Sequence, residues 1–378
     1  MNVLENRIQH FLDKRISEGN LRSLKSEVAG IDFCSNDYLG LSRSAWIQQQ
    51  VKEAYQNYQV LKKSATGSRL LTGNSSLFEE TEEEIASFHH GETALLFNSG
   101  FDANVALVST LARPEDIIYY DEYCHASILT GIKLSGATAI PFRHNDISHL
   151  KEVFSEQQNG ITYCIAESIY SMEGDKCPLK ELVVFCEEKS IYLFLDEAHA
   201  LGVVGEKGRG LAAKEGVEDK IFARVYTYGK ALGAHGAAIV GSKNLRQYLI
   251  NFAKPFIYST ALDVHAILSI KWGYKFLYNF DKQINRLNYL NQLFYEILTI
   301  NYPSFTVFGE GPIFGILSPK NQEAKRIATS LQRDGFDIRP ILYPTVPKGL
   351  ERLRFILHSY NEETEIVHFL DKLKLYLK

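Results

Sequence analysis

The chain has 378 residues, of which 45% are hydrophobic, and its formal net charge at pH 7 is −4. This composition allows a large buried core, and so mild a charge gives no reason to expect nucleic acid or an anionic membrane surface as a partner. No apolar run approaches the ~20 residues of a membrane span. The N-terminal stretch is amphipathic and charged, without the apolar core of a signal peptide. We therefore expect a cytoplasmic globular protein.

The five cysteines are scattered through the chain, and none forms a C-x-x-C pair. An odd number of unpaired, widely spaced cysteines argues against a disulfide framework and against a zinc site. The histidines also show no metal-ligand spacing. We expect a reducing compartment and no bound metal.

The chain opens with a predicted helix over 3–18, followed by the segment SNDYLGLSR at 35–43. Asn36 lies in this segment, where Asn and Asp favour turns and helix caps. Asn36 can equally face a ligand, and the residues alone leave both interpretations open.

The middle of the chain alternates apolar runs with helical patterns. Seven runs have the length and composition of buried strands, at 93–97, 116–120, 137–142, 161–167, 191–195, 224–227 and 237–240. This alternation predicts an α/β domain with a mostly parallel, seven-stranded sheet. After the first run, the turn Asn98–Phe101 leads into a helix, and backbone N–H groups at such a turn can hold a phosphate.

The pattern changes after residue 262. A long helical stretch over 264–299 is followed by short strands at 305–308 and 315–317, and by helices at 321–334 and 362–378. This predicts a smaller α+β domain. We expect three parts: an N-terminal helix and arm at 1–45, a large domain at 46–262 and a small C-terminal domain at 263–378.

Three chemically useful side chains follow apolar runs within 191–241. Asp196 ends one run, His199 comes soon after it, and Lys230 follows the next run. Ligands of open α/β sheets bind at strand ends, so these side chains are candidate neighbours. A lysine amine, a carboxylate and an imidazole suit pyridoxal 5'-phosphate (PLP), which needs an amine for its aldehyde and a carboxylate for its ring nitrogen. The alternative is an ordinary solvated lysine and a turn-capping Asp.

The letters DEAH at 196–199 also occur in a helicase motif. That function requires a phosphate loop of the form G-x-x-x-x-G-K-[ST]. The sequence contains none, and the Gly-Lys pair at 229–230 has Arg224 where the first glycine should be. We therefore do not expect a helicase.

Taken together, ten segments resemble one enzyme family, the α-oxoamine synthases, which are PLP enzymes of fold type I. In chain order the segments are SNDYLGLS, GSR, NSGFDAN, HAS, FRHND, SMEGD, DEAHALGVVGEKGRG, TYGKALGAHGAA, FIYSTAL and PTVPKGLERLR. The match covers nearly the whole chain. Within the family, the chain most resembles the members that join L-alanine to a pimeloyl thioester. It implies a decarboxylating acyltransferase in a PLP-dependent transferase fold of type I.

The resemblance implies a role for each matching residue. Lys230 would hold PLP covalently and move protons, Asp196 would pair with the ring nitrogen, and His125 would stack on the ring. His199 and Ser171 would lie near the ring hydroxyl. The remaining cofactor contacts would be Gly100, Phe101 and Thr227 at the phosphate, with Ser259 or Thr260 reaching the phosphate of a neighbouring subunit.

The resemblance also implies the substrate contacts and the assembly. Arg354, assisted by Asn36, would bind the amino-acid carboxylate, and Thr345 and Arg22 would face the acyl substrate. The acyl thioester would be carried by CoA or by an acyl carrier protein, and the enzyme would be a homodimer. Three alternatives stay open: another family member using glycine or serine, an aminotransferase or lyase of the same fold, and a catalytically silent partner subunit. The intact Lys230 and Asp196 argue against the last of these.

The sequence departs from the family pattern at several positions. Phe78 replaces the usual His, Leu342 replaces the usual Arg, the segment before SNDYLGL is short, and ATGSR replaces the commoner GGSR. Phe cannot donate or accept a hydrogen bond. Phe78, Leu342 and the short N-terminal segment fall where the acyl chain or its carrier is expected, so they concern the acyl substrate rather than the PLP chemistry.

Overall fold

A computed structural model describes residues 2–24, 30–57, 64–156, 159–318 and 320–377. Its α-helices are α1 (Val3–Ser17), α2 (Ala45–Asn57), α3 (Ser76–Phe88), α4 (Gly100–Leu111), α5 (Ala126–Ser135), α6 (Ile147–Val153), α7 (Leu179–Glu188), α8 (Leu211–Glu215), α9 (Lys243–Phe252), α10 (Lys254–Ile257), α11 (Val264–Asn279), α12 (Lys282–Asn301), α13 (Asn321–Arg333) and α14 (Glu363–Tyr376). Its strands are β1 (Ile31–Asp32), β2 (Thr93–Phe97), β3 (Ile117–Asp121), β4 (Thr138–Phe142), β5 (Thr162–Glu167), β6 (Tyr192–Asp196), β7 (Ala223–Thr227), β8 (Ala237–Gly241), β9 (Val307–Phe308), β10 (Ile313–Leu317), β11 (Phe336–Asp337), β12 (Arg339–Ile341) and β13 (Arg352–Ile356).

The chain forms two compact units. The sheet unit consists of Asn36–Ser171 and Lys176–Arg286, and the terminal unit consists of Met1–Ser35, Met172–Asp175 and Leu287–Lys378. Within the described ranges, no helix has the length and hydrophobicity needed to cross a membrane.

The sheet unit contains a seven-stranded sheet in the order β2-β8-β7-β6-β5-β3-β4. Strand β8 runs in the direction opposite to the other six strands of this sheet, which confirms the predicted mostly parallel α/β fold. The carboxyl ends of β2, β3, β5, β6 and β7 consequently lie at one edge of the sheet. This edge carries the residues that follow those strands, including Asp196 and Lys230.

Helices α4 and α5 pack closely on the sheet. A Cβ placed on Gly131 of α5 would lie 2.9 Å from Cβ of Val108 in α4, so a larger residue there would push the two helices apart. Their apolar faces join Ile118, Ile165 and Val225 of the sheet in one buried core. This packing fixes the N-terminal ends of both helices at the carboxyl edge of the sheet.

The terminal unit is built on a four-stranded antiparallel sheet in the order β12-β13-β10-β9. Aromatic side chains fill its core, and the rings of Phe294 and Phe314 lie 4.6 Å apart between centroids. Phe355 packs against Phe294 and against Phe369 of α14. Large flat rings such as these bury much apolar area for few degrees of freedom.

One predicted element differs from the structure. The helical stretch predicted over 264–299 forms two helices, α11 and α12, separated at Phe280 and Asp281. The N–H of Phe280 donates to the carbonyl of Phe276 and closes α11, while Asp281 begins the next helical turn with its carbonyl. The apolar periodicity continues through this break, and for this reason the sequence pattern did not reveal it.

Candidate functional site

Asp196 and Lys230 follow neighbouring strands of the sheet unit. Asp196 is the last residue of β6, and Lys230 lies in the loop that follows Thr227, the last residue of β7. The amine Nζ of Lys230 donates to Thr227 Oγ1 over 3.1 Å. Asp196 is buried and Lys230 is half-buried, so the amine remains within reach of a bound molecule.

Two N–H donors hold the carboxylate of Asp196. Asn104 of α4 donates its side-chain amide to Oδ2 over 2.7 Å, and the backbone N–H of Ala198 donates to Oδ1 over 2.9 Å. Both oxygens of this buried carboxylate are therefore paired, as burial requires. The contact from Asn104 also orients the carboxylate.

The same hydrogen-bond chain continues to His125, the N-cap residue of α5. Asn104 also donates to Ser127 Oγ over 3.1 Å, and Ser127 Oγ lies 2.8 Å from His125 Nδ1. Because the backbone N–H of Ser127 also donates to Nδ1, this nitrogen acts as an acceptor. The neutral imidazole therefore carries its proton on Nε2.

Partial desolvation lowers the pKa of His125, the charge of Asp196 opposes this effect, and the charge of Lys230 lowers the pKa further. The net shift favours a neutral ring near neutral pH. A neutral imidazole can lie against a flat π-system without placing a second cation beside Lys230.

Glu167 is a second buried carboxyl group at this edge. It ends β5 as the register partner of Asp196, and it accepts a hydrogen bond from the backbone N–H of His125. Burial, followed by the negative charge of Asp196, raises the pKa of Glu167 well above its usual value. Glu167 therefore holds a proton more readily than an ordinary glutamic acid does.

His199 lies in the turn after β6 and is buried. Its Nδ1 is 2.6 Å from the hydroxyl of Tyr38, which also contacts Asn36 Oδ1 at 3.3 Å. The segment SNDYLGLS therefore reaches the carboxyl edge through Tyr38, and Asn36 lies beside it.

The first turn of α4 lies against the end of β7. A Cβ placed on Gly100 would lie 2.4 Å from Cγ2 of Thr227, so only glycine permits this approach. Ser99 caps the helix by accepting from the N–H of Asp102 over 3.1 Å. The first N–H groups of a helix have no acceptor within it, so those of Gly100 and Phe101 are available to bind an anion next to Thr227.

Three further predicted residues lie in the sheet unit. Asn98, just before α4, donates to the backbone carbonyl of Thr260 over 2.7 Å, which brings the FIYSTAL segment to the start of α4. Ser259 and Thr260 border a small cavity together with Phe78. Ser171 lies shortly after β5 and is half-buried.

The other predicted residues lie in the terminal unit. Arg22 Nη2 donates to Thr345 Oγ1 over 3.4 Å, so the structure brings these two together. Arg354 is half-buried on β13, opposite Gly315 and Arg339 in the neighbouring strands.

The nearby Arg352 differs from Arg354 in its surroundings. Its side chain is buried, donates to the carbonyl of Leu350 over 3.0 Å and lies 3.3 Å from the carboxylate of Glu173. Its guanidinium also covers the ring of Phe308 at 4.2 Å. The side chain of Arg352 therefore stabilises the terminal unit.

Sequence reasoning missed the supporting residues Asn104, Ser127, Glu167 and Tyr38. Glu167 could have been detected from the sequence. It is a carboxylate at the end of an apolar run, as Asp196 is at the end of the next run along the chain. Asn104 lies one helical turn after Gly100, so it faces the same side of α4. Tyr38 had no local signal beyond its position in SNDYLGLS.

Known proteins are similar to this chain over most of its length. The family described as aminotransferase class I and II matches residues 28–373. An 8-amino-7-oxononanoate synthase of Emericella nidulans is 36% identical over 374 residues, which cover 93% of this chain and 90% of that protein. The aminoacyl transferase sphA of Byssochlamys spectabilis is 34% identical and covers 93% of this chain and 81% of that protein.

Two solved structures are similar throughout. An 8-amino-7-oxononanoate synthase from Francisella tularensis has a TM-score of 0.80 and 29% identity, covering 93% of this chain and 98% of that one. A serine palmitoyltransferase from Sphingomonas wittichii has a TM-score of 0.88 and 22% identity, covering 100% and 98%. At that identity, the second comparison bears on the fold alone.

Proposed function

Because the chain belongs to the aminotransferase class I and II family, among its α-oxoamine synthases, we propose that it joins L-alanine to a pimeloyl thioester with loss of carbon dioxide. The product is 8-amino-7-oxononanoate, an intermediate of biotin biosynthesis. The observation that carries this proposal is the convergence of the Lys230 amine, the Asp196 carboxylate and the α4 N-terminus at one sheet edge.

The residues at this edge fit PLP as the cofactor. The Lys230 amine is available for the aldehyde, the doubly paired Asp196 carboxylate suits a protonated ring nitrogen, and the close approach of Gly100 to Thr227 leaves backbone N–H groups there for the phosphate. When bound, PLP supplies an electron sink for negative charge at the substrate α-carbon.

The protein's own groups then have distinct tasks. Lys230 would hold the cofactor covalently until the amino acid replaces it, and its freed amine would then take the proton from the α-carbon and later return one. Asp196 would keep the proton on the ring nitrogen, and Asn104 holds Asp196 in place. His125 would stack on the ring in its neutral form, and His199, supported by Tyr38, would contact the ring hydroxyl together with Ser171.

We assign the substrate contacts to four residues. Arg354, assisted by Asn36, binds the amino-acid carboxylate, because a guanidinium can donate two parallel hydrogen bonds to it. Arg22 and Thr345, which contact each other, face the acyl thioester on CoA or on an acyl carrier protein. We further propose a cytoplasmic homodimer in which Ser259 or Thr260 reaches the phosphate of the partner subunit.

A second candidate is an α-oxoamine synthase that uses glycine or serine and another acyl chain. The observation that favours it is the environment of Phe78, whose ring lies 4.2 Å below the guanidinium of Arg69. Phe78 thus presents an apolar ring where the usual pattern has a polar histidine. This difference alters the recognition of the acyl substrate or its carrier.

A panel of substrates separates these functions. Purified protein with PLP is mixed with L-alanine, glycine or L-serine and then with pimeloyl-CoA or another acyl-CoA, and thiol release is recorded. We expect release with L-alanine and pimeloyl-CoA, no release from Lys230→Ala, and normal release from Lys133→Ala, an exposed lysine of α5. Release confined to glycine or serine would favour the second candidate, and amino transfer without thiol release would overturn both.

A further inference from the structure

A buried row of polar side chains leads away from the loop that carries Lys230. We define the Lys230 loop as residues 228–236, which connect β7 to β8. Its first residue, Tyr228, is fully buried, and the hydroxyl of Tyr228 accepts a hydrogen bond from Tyr274 of α11 over 3.4 Å. The Tyr274 hydroxyl lies 2.9 Å from Nε2 of His89, at the end of α3.

Tyr228 also closes the base of the Lys230 loop through its backbone. Its N–H donates to the carbonyl of Gly236 over 3.0 Å, and its carbonyl accepts from the N–H of Ala234 over 2.9 Å. Within the loop, the carbonyl of Lys230 accepts from the N–H of Gly233 over 2.8 Å. Any shift of Tyr228 therefore moves the backbone on which Lys230 is mounted.

His89 is firmly fixed at the far end of the row. It is fully buried, its ring stacks on Tyr226 with centroids 3.6 Å apart, and its backbone carbonyl accepts from the guanidinium of Arg224 over 2.8 Å. Burial lowers the pKa of His89 well below its usual value and raises that of Tyr274 well above its own. Both groups are neutral near neutral pH, so the row acts through geometry rather than through charge.

Helix α11 also touches the loop directly. A Cβ placed on Gly273, next to Tyr274, would lie 3.1 Å from the side chain of Leu232 in the loop. Here α11 thus contacts the loop both through this small residue and through the hydroxyl of Tyr274. Hydrogen bonds inside a buried network are stronger than those exposed to water, so this row restrains the loop, although Nδ1 of His89 has no hydrogen-bond partner among the described residues.

We propose that Tyr274, held by His89, is a positioning residue that fixes the Lys230 loop and thereby aims the Lys230 amine at its reaction partners. Neither residue touches the substrate or the cofactor in this proposal, and both act through Tyr228. The inference rests on the proposed function, because it assumes that Lys230 holds PLP. Displacements of about 1 Å at a reacting group can cost on the order of 100-fold in rate, so a fixed loop matters.

The test uses the holoenzyme of Tyr274→Phe, which keeps the ring and removes only the hydroxyl. Tyr278→Phe is the matched control, because Tyr278 is exposed on the same helix. Three quantities are measured: the rate of PLP release to a scavenger, kcat and KM for the amino acid by thiol release, and the thermal midpoint. We expect Tyr274→Phe to release PLP on the order of 10-fold faster and to lower kcat by a similar factor, with KM changed less than about twofold.

Tyr228→Phe removes the acceptor of the same hydrogen bond, on the Lys230 loop. This variant replaces Tyr274→Phe in the test if Tyr274→Phe does not fold. The double variant should be no worse than the poorer single variant, because both remove one shared bond. A fall in the thermal midpoint of Tyr274→Phe, with PLP release and kcat equal to those of Tyr278→Phe, would show a merely structural role and overturn the inference. Failure of the wild-type protein to bind PLP at Lys230 would instead overturn the proposed function and this inference with it.

Discussion

The side-chain amide of Asn104 donates to the carboxylate of Asp196 over 2.7 Å and links α4 to the end of β6. Its helix begins at Gly100, beside the methyl group of Thr227. One helix therefore presents backbone N–H groups for an anion and, one turn later, fixes the carboxylate proposed for the ring nitrogen.

Removing the side chain of Asn104 should weaken PLP binding. Asn104→Ala leaves one oxygen of the buried Asp196 carboxylate without its donor, which costs about 1–3 kcal/mol. We expect the dissociation constant of PLP to rise about tenfold or more. The measurement is a titration of apo protein with PLP. Ser109→Ala on the same helix is the control, because that hydroxyl bonds only to the carbonyl of Val105. Equal affinities of the two variants would speak against this role.

Replacement of Glu167 should change the pH dependence of stability. The folded-state pKa of Glu167 lies well above the usual 4.5, chiefly through burial. Between those two values the folded protein holds a proton that the unfolded chain releases, so wild-type stability falls as pH rises through this window. Glu167→Gln cannot titrate.

We therefore expect the thermal midpoint of Glu167→Gln, relative to that of wild type, to increase from pH 5 to pH 8 by about 2 °C or more. Thermal unfolding of the apo forms across this range measures the difference. Glu188→Gln, at an exposed position in α7, should show no trend with pH. If the thermal midpoint of Glu167→Gln minus that of wild type is constant from pH 5 to pH 8, or decreases, the pKa of Glu167 is not raised.

Loss of the Tyr38 hydroxyl should reduce turnover. Tyr38→Phe removes the partner of the buried His199 Nδ1 while keeping the ring, and a hydrogen bond of this kind contributes about 1 kcal/mol. We expect kcat per bound PLP to fall about fivefold. Tyr192→Phe is the control, because Tyr192 is exposed at the opposite end of β6. If Tyr38→Phe and Tyr192→Phe have equal turnover, the Tyr38 hydroxyl has no role in the site.

Arg354 and Arg352 should respond differently to replacement by lysine. Arg354→Lys cannot donate two parallel hydrogen bonds to a carboxylate, so KM for the amino acid should rise on the order of 10- to 100-fold. Arg352→Lys should instead lower the thermal midpoint, because Arg352 is buried against Glu173 and Phe308. Steady-state kinetics and thermal unfolding of both variants measure this contrast. The opposite pattern would mean that the two arginines have been assigned the wrong way round.

The sequence allowed the seven strands to be predicted because each is an apolar run bounded by glycine or polar residues. Their order in the sheet was not predictable, since an apolar run does not encode its neighbours. The predicted domain boundaries at 45/46 and 262/263 stay a prediction, although the chain packs as two units. Asp196 and Lys230 were recognisable because they end or follow strands. Asn104 was not, because an asparagine inside a helix shows its role only once α4 packs beside β6.

The most direct test of the proposed chemistry follows the carboxyl carbon of the amino acid. L-Alanine labelled at the carboxyl carbon is supplied with PLP and pimeloyl-CoA, and labelled carbon dioxide and thiol are measured together. We predict that both are released in equal amounts, that omission of the thioester stops both, and that Lys230→Ala releases neither. Thiol release without labelled carbon dioxide, or a labelled keto acid formed without thiol release, would contradict a decarboxylating condensation at Lys230.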